Sequence, residues 1–140
     1  MHNPSAVVLA GDIGGTNARF VVFVNGEYQA GTFRAIPVAN FNDLADVIEV
    51  YLQDIGRQTL DQASFSVAST AEYGDEINLT NADLRFSIAD LRQRFSLHRV
   101  KVVNDFTAAA LGVVCIADDS LYQLHKGSVE PLGPLSLIHI

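Results

Sequence analysis

A glycine-rich stretch near the amino terminus constrains the fold more than any other feature of this sequence. Residues 11–19 read Gly-Asp-Ile-Gly-Gly-Thr-Asn-Ala-Arg and stand between two apolar runs, Ala6–Ala10 and Arg19–Val24. Short, continuous apolar runs are typical of buried strands. A second strand follows the glycines directly, whereas the Walker loop and the Rossmann fingerprint are each followed by a helix. The sequence therefore predicts a tight turn between two strands and excludes both of those motifs.

The groups in this turn suit a phosphate ligand. Glycines at 11, 14 and 15 permit positive φ and let a ligand approach the backbone, where N–H groups and the Thr16 hydroxyl can donate to phosphate oxygens. The Asp12 carboxylate would repel phosphate, so a divalent cation held through water, such as Mg²⁺, is its natural partner. The alternative is a structural turn in which Asp12 caps its own backbone. We expect the complete stretch to bind phosphate.

The rest of the pattern predicts an α/β domain with a mixed sheet. Asn25-Gly26 is a strong hairpin signal, so a third strand over Tyr28–Arg34 would complete an opening antiparallel meander of three strands. Strands alternate with helices thereafter. We expect a helix from Asn40 or Asn42 to Ile55, a strand over Ala63–Ala68, a short strand over Asp75–Leu79, a helix from Ser87 to Phe95, a strand over Arg99–Val103 and a buried, alanine-rich helix over Phe106–Val114.

A second candidate site follows the strand that ends at Val103. Asn104 and Asp105 offer an amide and a carboxylate, a set suited to adjacent sugar hydroxyls, and ligands of open α/β sheets bind at the carboxyl ends of strands. The Asp105 carboxylate could also accept a proton from a hydroxyl that attacks a phosphoryl group. The alternative is that either residue caps the following helix, and one residue can do both. Together the two sites indicate phosphoryl transfer from ATP to a sugar alcohol.

Composition narrows the class of protein further. The chain has 140 residues, the size of one domain, of which 49% are hydrophobic, and its net charge is −7. The acidic balance argues against nucleic-acid binding, and we see neither a membrane-spanning run nor a secretory signal, so we expect a cytoplasmic protein. The single cysteine, Cys115, excludes an internal disulfide, and its apolar neighbours predict a buried structural thiol.

Three segments resemble motifs of bacterial glucokinase, a family with the ribonuclease H-like fold of hexokinases and actin-like ATPases. They are Leu9–Phe20, Leu79–Ile88 and Val103–Ala108, and the resemblance runs from about Val7 to Pro134. It implies ATP-dependent phosphorylation of glucose at the 6-hydroxyl, the first step of glycolysis, with Mg²⁺ as cofactor. Glucose and ATP would be the small-molecule partners, with no nucleic acid and no membrane. The oligomeric state is left open, and a homodimer is one option for the full-length enzyme.

The resemblance also assigns roles to individual residues. It implies that the ATP phosphate loop consists of Gly11, Asp12, Ile13, Gly14, Gly15 and Thr16. Asp12 would lie near the magnesium, bound to it through water. Asn104 and Asp105 would bind glucose hydroxyls, with Asp105 as general base toward the 6-hydroxyl and Asn81 on the sugar side. Two alternatives stay open: a non-catalytic sugar- or nucleotide-binding module, and another actin-fold ATPase, which would have no use for an Asn-Asp pair.

Parts of the family pattern are missing from the chain. It has no second Gly-Thr-Gly phosphate strand, no Glu-x-Gly-His sugar segment and no adenosine-binding loop, and Ser69–Glu72 stands where a proline-containing turn is usual. We therefore expect residues 1–134 to be the N-terminal small α/β domain of a longer kinase, inactive alone. Residues 135–140 resemble a translated transposase end sequence from sequencing-library preparation, so we expect an adapter tail there; a genuine C-terminal strand is the alternative.

Overall fold

The computed structural model describes residues 6–68, 74–79, 83–122, 124–125 and 127–128. The chain divides into two compact units, Met1–Asp105 and Phe106–Ile140. In chain order the elements are β1 (Val7–Ile13), β2 (Asn17–Val24), β3 (Glu27–Tyr28), β4 (Arg34–Pro37), α1 (Leu44–Asp54), β5 (Gln62–Val67), β6 (Glu76–Asn78), β7 (Arg85–Ser87), α2 (Ile88–Arg94), β8 (Arg99–Asn104), α3 (Asp105–Val113) and a short 3-10 helix (Asp118–Ser120).

A mixed sheet is the centre of the first unit, with six strands among the described residues. The strand order is β3-β2-β1-β5-β8, and β4 also pairs with β2. Strands β1 and β2 are antiparallel, whereas β1, β5 and β8 run parallel to one another. The predicted mixed sheet and its opening antiparallel meander are therefore confirmed. A separate two-stranded sheet joins β6 to β7, and the three-residue strand β7 was not predicted from the sequence.

The third strand of the meander differs from the predicted span Tyr28–Arg34. The hairpin turn is confirmed, since Asn25 and Gly26 have φ of 54° and 83°. After β3, however, the Thr32 hydroxyl accepts a hydrogen bond from the Val22 amide at 3.1 Å, in the place of a strand carbonyl. Gly31 beside it adopts a φ of 80°. The chain therefore bends away from β2 and rejoins it only at β4.

Both helices of the first unit begin at a side-chain cap. The cap of α1 is Asp43, which accepts a hydrogen bond from the Ala45 amide at 2.8 Å, so the predicted caps Asn40 and Asn42 are wrong. Ser87 caps α2 by accepting from the Asp90 amide at 3.1 Å, as its sequence pattern predicts. Each cap satisfies a backbone donor that has no partner inside its helix.

One face of the sheet and one face of α1 form the core. Alternate residues of the strands are fully buried on this face, and the apolar stripe of α1 packs against them. The buried set includes Leu9, Ile13, Phe20, Val22, Phe65, Val67, Val47, Ile48 and Tyr51. The Tyr51 ring lies 5.1 Å from that of Phe20, and its hydroxyl donates to the Thr32 carbonyl at 2.8 Å. The intervening residues of these strands, which include Asp12, therefore lie on the opposite face of the sheet.

The second unit corrects two expectations. The alanine-rich helix is present as α3, but none of its residues is buried, and Leu111 is 63% exposed. Cys115 is likewise exposed rather than buried. A helix that is apolar on all sides needs several partners to bury it, and the described residues of this unit add only the short 3-10 helix. No helix among the described residues is long and apolar enough to cross a membrane.

Candidate functional site

The two predicted site segments lie at the same edge of the sheet. Because β1, β5 and β8 are parallel, their carboxyl ends meet there. The register pairs Ile13 with Val67 and Val67 with Asn104, so two strand spacings, about 10 Å, separate the end of β1 from the end of β8. The glycine turn that follows Ile13 and the Asn104-Asp105 pair are thus neighbours along one edge.

The turn after β1 is shorter than the sequence suggests. Strand β1 continues through Gly11, Asp12 and Ile13, and the turn itself is Gly14–Thr16. The Gly14 amide donates to the Asn17 carbonyl at 3.0 Å, so it closes the turn and is not a free donor. In the part of the chain that the structure describes, the Gly15 amide and the exposed Thr16 hydroxyl make no hydrogen bond. These groups are the donors that the turn can offer to a phosphate.

Gly11 has a packing reason for being glycine. It faces the core, where an added Cβ would lie 2.8 Å from a ring carbon of Phe65 and 3.0 Å from the ring of Phe20. Gly14 does not have a positive φ either. The expected reason for these glycines, positive φ in a phosphate turn, does not apply to Gly11 or Gly14. Gly11 and the buried Ile13 instead fix the strand from which the turn projects.

Side chains from both neighbouring strands hold the carboxylate of Asp12. Arg19 on β2 donates from Nη1 to Oδ2 at 3.0 Å, and Ser66 on β5 donates from Oγ to Oδ1 at 2.7 Å. The three residues are register partners across β2, β1 and β5. Asp12 therefore does not cap its own backbone, as the structural alternative required. The sequence left the role of Arg19 open and missed Ser66, which only the pairing of β5 with β1 reveals.

The surroundings of Asp12 fit a cation that is bound through water. No group of three or more His, Cys, Asp or Glu side chains capable of holding a metal occurs among the described residues. The single carboxylate already accepts two hydrogen bonds, so it offers little direct coordination. Mg²⁺ commonly keeps several waters and takes one or two carboxylates plus the phosphates of a nucleotide. The donor set matches that arrangement and does not match an all-protein metal cage.

Asn104 and Asp105 lie at the junction of β8 and α3. Asn104 ends the strand, Asp105 begins the helix, and both side chains are half-buried. A carboxylate in the first turn of a helix is favoured by the helix dipole, so the helix-start interpretation fits the structure. Both residues also make interactions within the chain. The predicted sugar-side residue Asn81 and the segment Ser69–Glu72 lie outside the described residues.

Comparison with known proteins identifies the family. The glucokinase family model matches residues 9–139. The glucokinase of Chromohalobacter salexigens is 40% identical over 123 residues, which cover 88% of this chain and 38% of that protein. The glucokinase of Marinobacter nauticus is 37% identical over 126 residues, covering 90% of this chain and 39% of that protein.

The solved structures agree with this result. The crystal structure of a glucokinase from an Antarctic psychrotroph superposes with a TM-score of 0.71 and 27% identity, over 89% of this chain and 40% of that one. The chain shares with that glucokinase an α/β fold, here built on a mixed sheet, which confirms the predicted α/β class. The chain belongs to the glucokinase family. It spans about 40% of the length of the relatives it matches.

Proposed function

We propose that this chain supplies the phosphate turn and the sugar-binding pair of an enzyme that phosphorylates glucose at its 6-hydroxyl with ATP. One observation carries the proposal. The register of β1, β5 and β8 brings the Gly14–Thr16 turn and the Asn104-Asp105 pair to one edge of the sheet. Phosphoryl transfer needs donor and acceptor held side by side, and positioning supplies much of its catalysis. Family membership supports this choice of substrates.

The proposed reaction divides the work between the two segments. The Gly15 amide and the Thr16 hydroxyl hold phosphate oxygens, while Asn104 and Asp105 hold glucose hydroxyls. Asp105 accepts the proton of the 6-hydroxyl as the oxygen forms a bond to the γ-phosphorus, and the bond from that phosphorus to the bridging oxygen breaks to release ADP. Mg²⁺, when bound near Asp12, would neutralise charge on the phosphates. We also propose a cytoplasmic location, where ATP is plentiful; a homodimer stays a prediction.

Substitution of Asp105 tests whether its carboxylate acts as the general base. The test uses a chimera in which this chain is followed by the carboxy-terminal part of the Chromohalobacter glucokinase, the part that the match does not include. Formation of ADP by the chimera is followed with glucose and magnesium ATP as substrates. We expect the chimera to phosphorylate glucose and Asp105→Asn to reduce kcat by a factor of about 10²–10⁴, because the general base is lost. Asp54→Asn, a matched change at an exposed residue of α1, should leave kcat within about twofold.

Binding to the chain itself provides the second arm of this test. We expect magnesium ATP to shift the NMR signals of the Gly15 and Thr16 amides, and glucose to shift those of Asn104 and Asp105. An active chimera whose kcat is unchanged by Asp105→Asn would remove Asp105 from the proposed role. Nucleotide shifts without any response to hexoses would favour an actin-fold ATPase that acts on another substrate.

A further inference from the structure

The Asp12 carboxylate has an ionic partner that the proposed reaction does not use. Arg19 lies directly across the strand pair, and its Nη1 atom is 3.0 Å from Oδ2 of Asp12. Both side chains are 51% exposed, so neither is held in place by burial. The pair is neutral as a unit, although Asp12 is the carboxylate next to the phosphate turn. The charge that would attract a cation is therefore cancelled in this conformation.

We infer that Arg19 is a positioning residue that withholds Asp12 from a bare divalent cation, so that the cation is accepted only together with a nucleotide. This inference rests on the proposed phosphate site. A polyphosphate offers a guanidinium more acceptor oxygens and more charge than one carboxylate does. Arg19, which pairs with the Asp12 carboxylate in the free protein, can thus leave that carboxylate and bind phosphate when a nucleotide is present.

Ser66 can hold the Asp12 carboxylate in position while Arg19 changes its partner. Its hydroxyl donates to the other oxygen of Asp12, Oδ1, at 2.7 Å, from the strand on the opposite side. Ser66 is uncharged, so it orients the carboxylate without cancelling its charge. Asp12 therefore keeps an anchor when Arg19 leaves, and the carboxylate stays beside the turn.

The test measures the binding of Mn²⁺, a paramagnetic substitute for Mg²⁺, to the nitrogen-15-labelled chain in the absence of nucleotide. Broadening of the Gly15 and Thr16 amide signals reports occupancy at Asp12 and separates it from the other carboxylates of this acidic chain. We expect Arg19→Gln to increase the affinity for bare Mn²⁺ at the turn about fivefold, the effect of removing one nearby charge at an exposed site. Arg19→Lys, which retains the charge, should stay within about twofold of the wild type.

A second ion pair provides the matched control. Arg34 pairs with Asp54 on an exposed surface, and Arg34→Gln also removes one positive charge and releases one carboxylate. It should leave Mn²⁺ broadening at the turn unchanged. The inference is wrong if Arg19→Gln behaves like the wild type, or if Arg34→Gln raises broadening at the turn equally. Arg19→Met makes the same comparison in case the glutamine variant does not fold.

Addition of ATP then separates this inference from the proposed function. In the wild type, ATP should raise Mn²⁺ affinity at the turn by a larger factor than in Arg19→Gln, because only the wild type starts from a masked carboxylate. A chain that binds no ATP would contradict the proposed function. The nucleotide-free comparison of Arg19→Gln with the wild type would still decide whether Arg19 masks Asp12.

Discussion

Gly11 shows how a single residue links the packing of the sheet to the proposed site. It lies one residue before Asp12, and its missing side chain leaves room for the rings of Phe20 and Phe65. A methyl group there would have to displace an aromatic ring in the buried centre of the sheet, because the nearest ring carbon is 2.8 Å away. The position of β1, and of the turn that it carries, therefore depends on this glycine.

Replacement of Gly11 by alanine should destabilise the protein. We expect Gly11→Ala to lower the free energy of unfolding by about 1–3 kcal/mol, the usual cost of forcing an extra carbon into a packed core. Urea denaturation followed by circular dichroism measures it. The control is Gly74→Ala, since a Cβ at Gly74 would meet no atom of the described residues within 4 Å, and a change below about 0.5 kcal/mol is expected there. Equal stability of the two variants would contradict the packing argument.

The single-residue contacts also mark the limit of what the sequence can predict. Asp12 and Thr16 were predicted as site residues from their place in a glycine-rich turn, a purely local signal. Ser66 was not, because a serine in an alternating strand has no distinguishing feature until the register places it opposite Asp12. The register of parallel strands depends on long-range packing, which one sequence does not display.

At the scale of elements, Tyr51 connects α1 with the meander. Its ring is fully buried against Phe20, and its hydroxyl reaches the Thr32 carbonyl in the segment between β3 and β4. Burial of the phenol disfavours its ionised form and raises the pKa of Tyr51 above the ordinary value of 10.0. The docking of this helix should therefore respond to alkaline pH.

The raised pKa fixes the sign of that response. Below pH 10 the tyrosine is neutral in both folded and unfolded chains, and its contribution to stability is complete. Above pH 10 the unfolded chain loses the proton first, so the free energy of unfolding falls, at most by about 1.4 kcal/mol per pH unit. We expect Tyr51→Phe to remove this part of the slope above about pH 10, and to cost about 1–3 kcal/mol at neutral pH because the Thr32 carbonyl loses its donor.

Chemical denaturation at several pH values measures the slope. Tyr122→Phe is the matched control, because Tyr122 is 87% exposed, and its slope should equal that of the wild type. A Tyr51→Phe protein with the wild-type slope would show that another group is responsible for the alkaline loss of stability.

The elements themselves were predictable where the signal was local. Continuous apolar runs located β1, β2, β5 and β8, and the periodic stripe located α1. The split between β3 and β4 was not predictable, since it depends on the Thr32 hydroxyl replacing a backbone acceptor. The exposure of α3 was also missed, because an apolar pattern states that a helix needs partners and does not state whether they are present.

At the scale of the whole molecule, the described residues place the two proposed ligand-binding segments close together. The chain spans about 40% of the length of the Chromohalobacter and Marinobacter glucokinases, and its described part carries the proposed phosphate turn and the Asn104-Asp105 pair at a single sheet edge. Sugar kinases exclude water by enclosing their substrates between walls. A single edge does not enclose a substrate, so binding and turnover are expected to separate in this chain.

We therefore expect the purified 140-residue chain to bind magnesium ATP without phosphorylating glucose. A coupled assay of ADP formation with glucose measures turnover, and calorimetry with ATP measures binding. The chimera with the carboxy-terminal part of the Chromohalobacter protein is the positive control. Glucose-dependent turnover by the chain alone, abolished by Asp105→Asn, would show that the chain forms a complete site.

The central place of β1 has a consequence for how tightly the turn can hold a ligand. Strand β1 is hydrogen-bonded to β2 on one side and to β5 on the other. The turn Gly14–Thr16 therefore follows a central strand of the sheet, and its backbone is ordered before a ligand binds. Ordering three flexible residues on binding would cost about 3–6 kcal/mol of conformational entropy. Because folding has already ordered this turn, it can bind phosphate roughly 10²–10⁴ times more tightly than the same residues in a flexible loop.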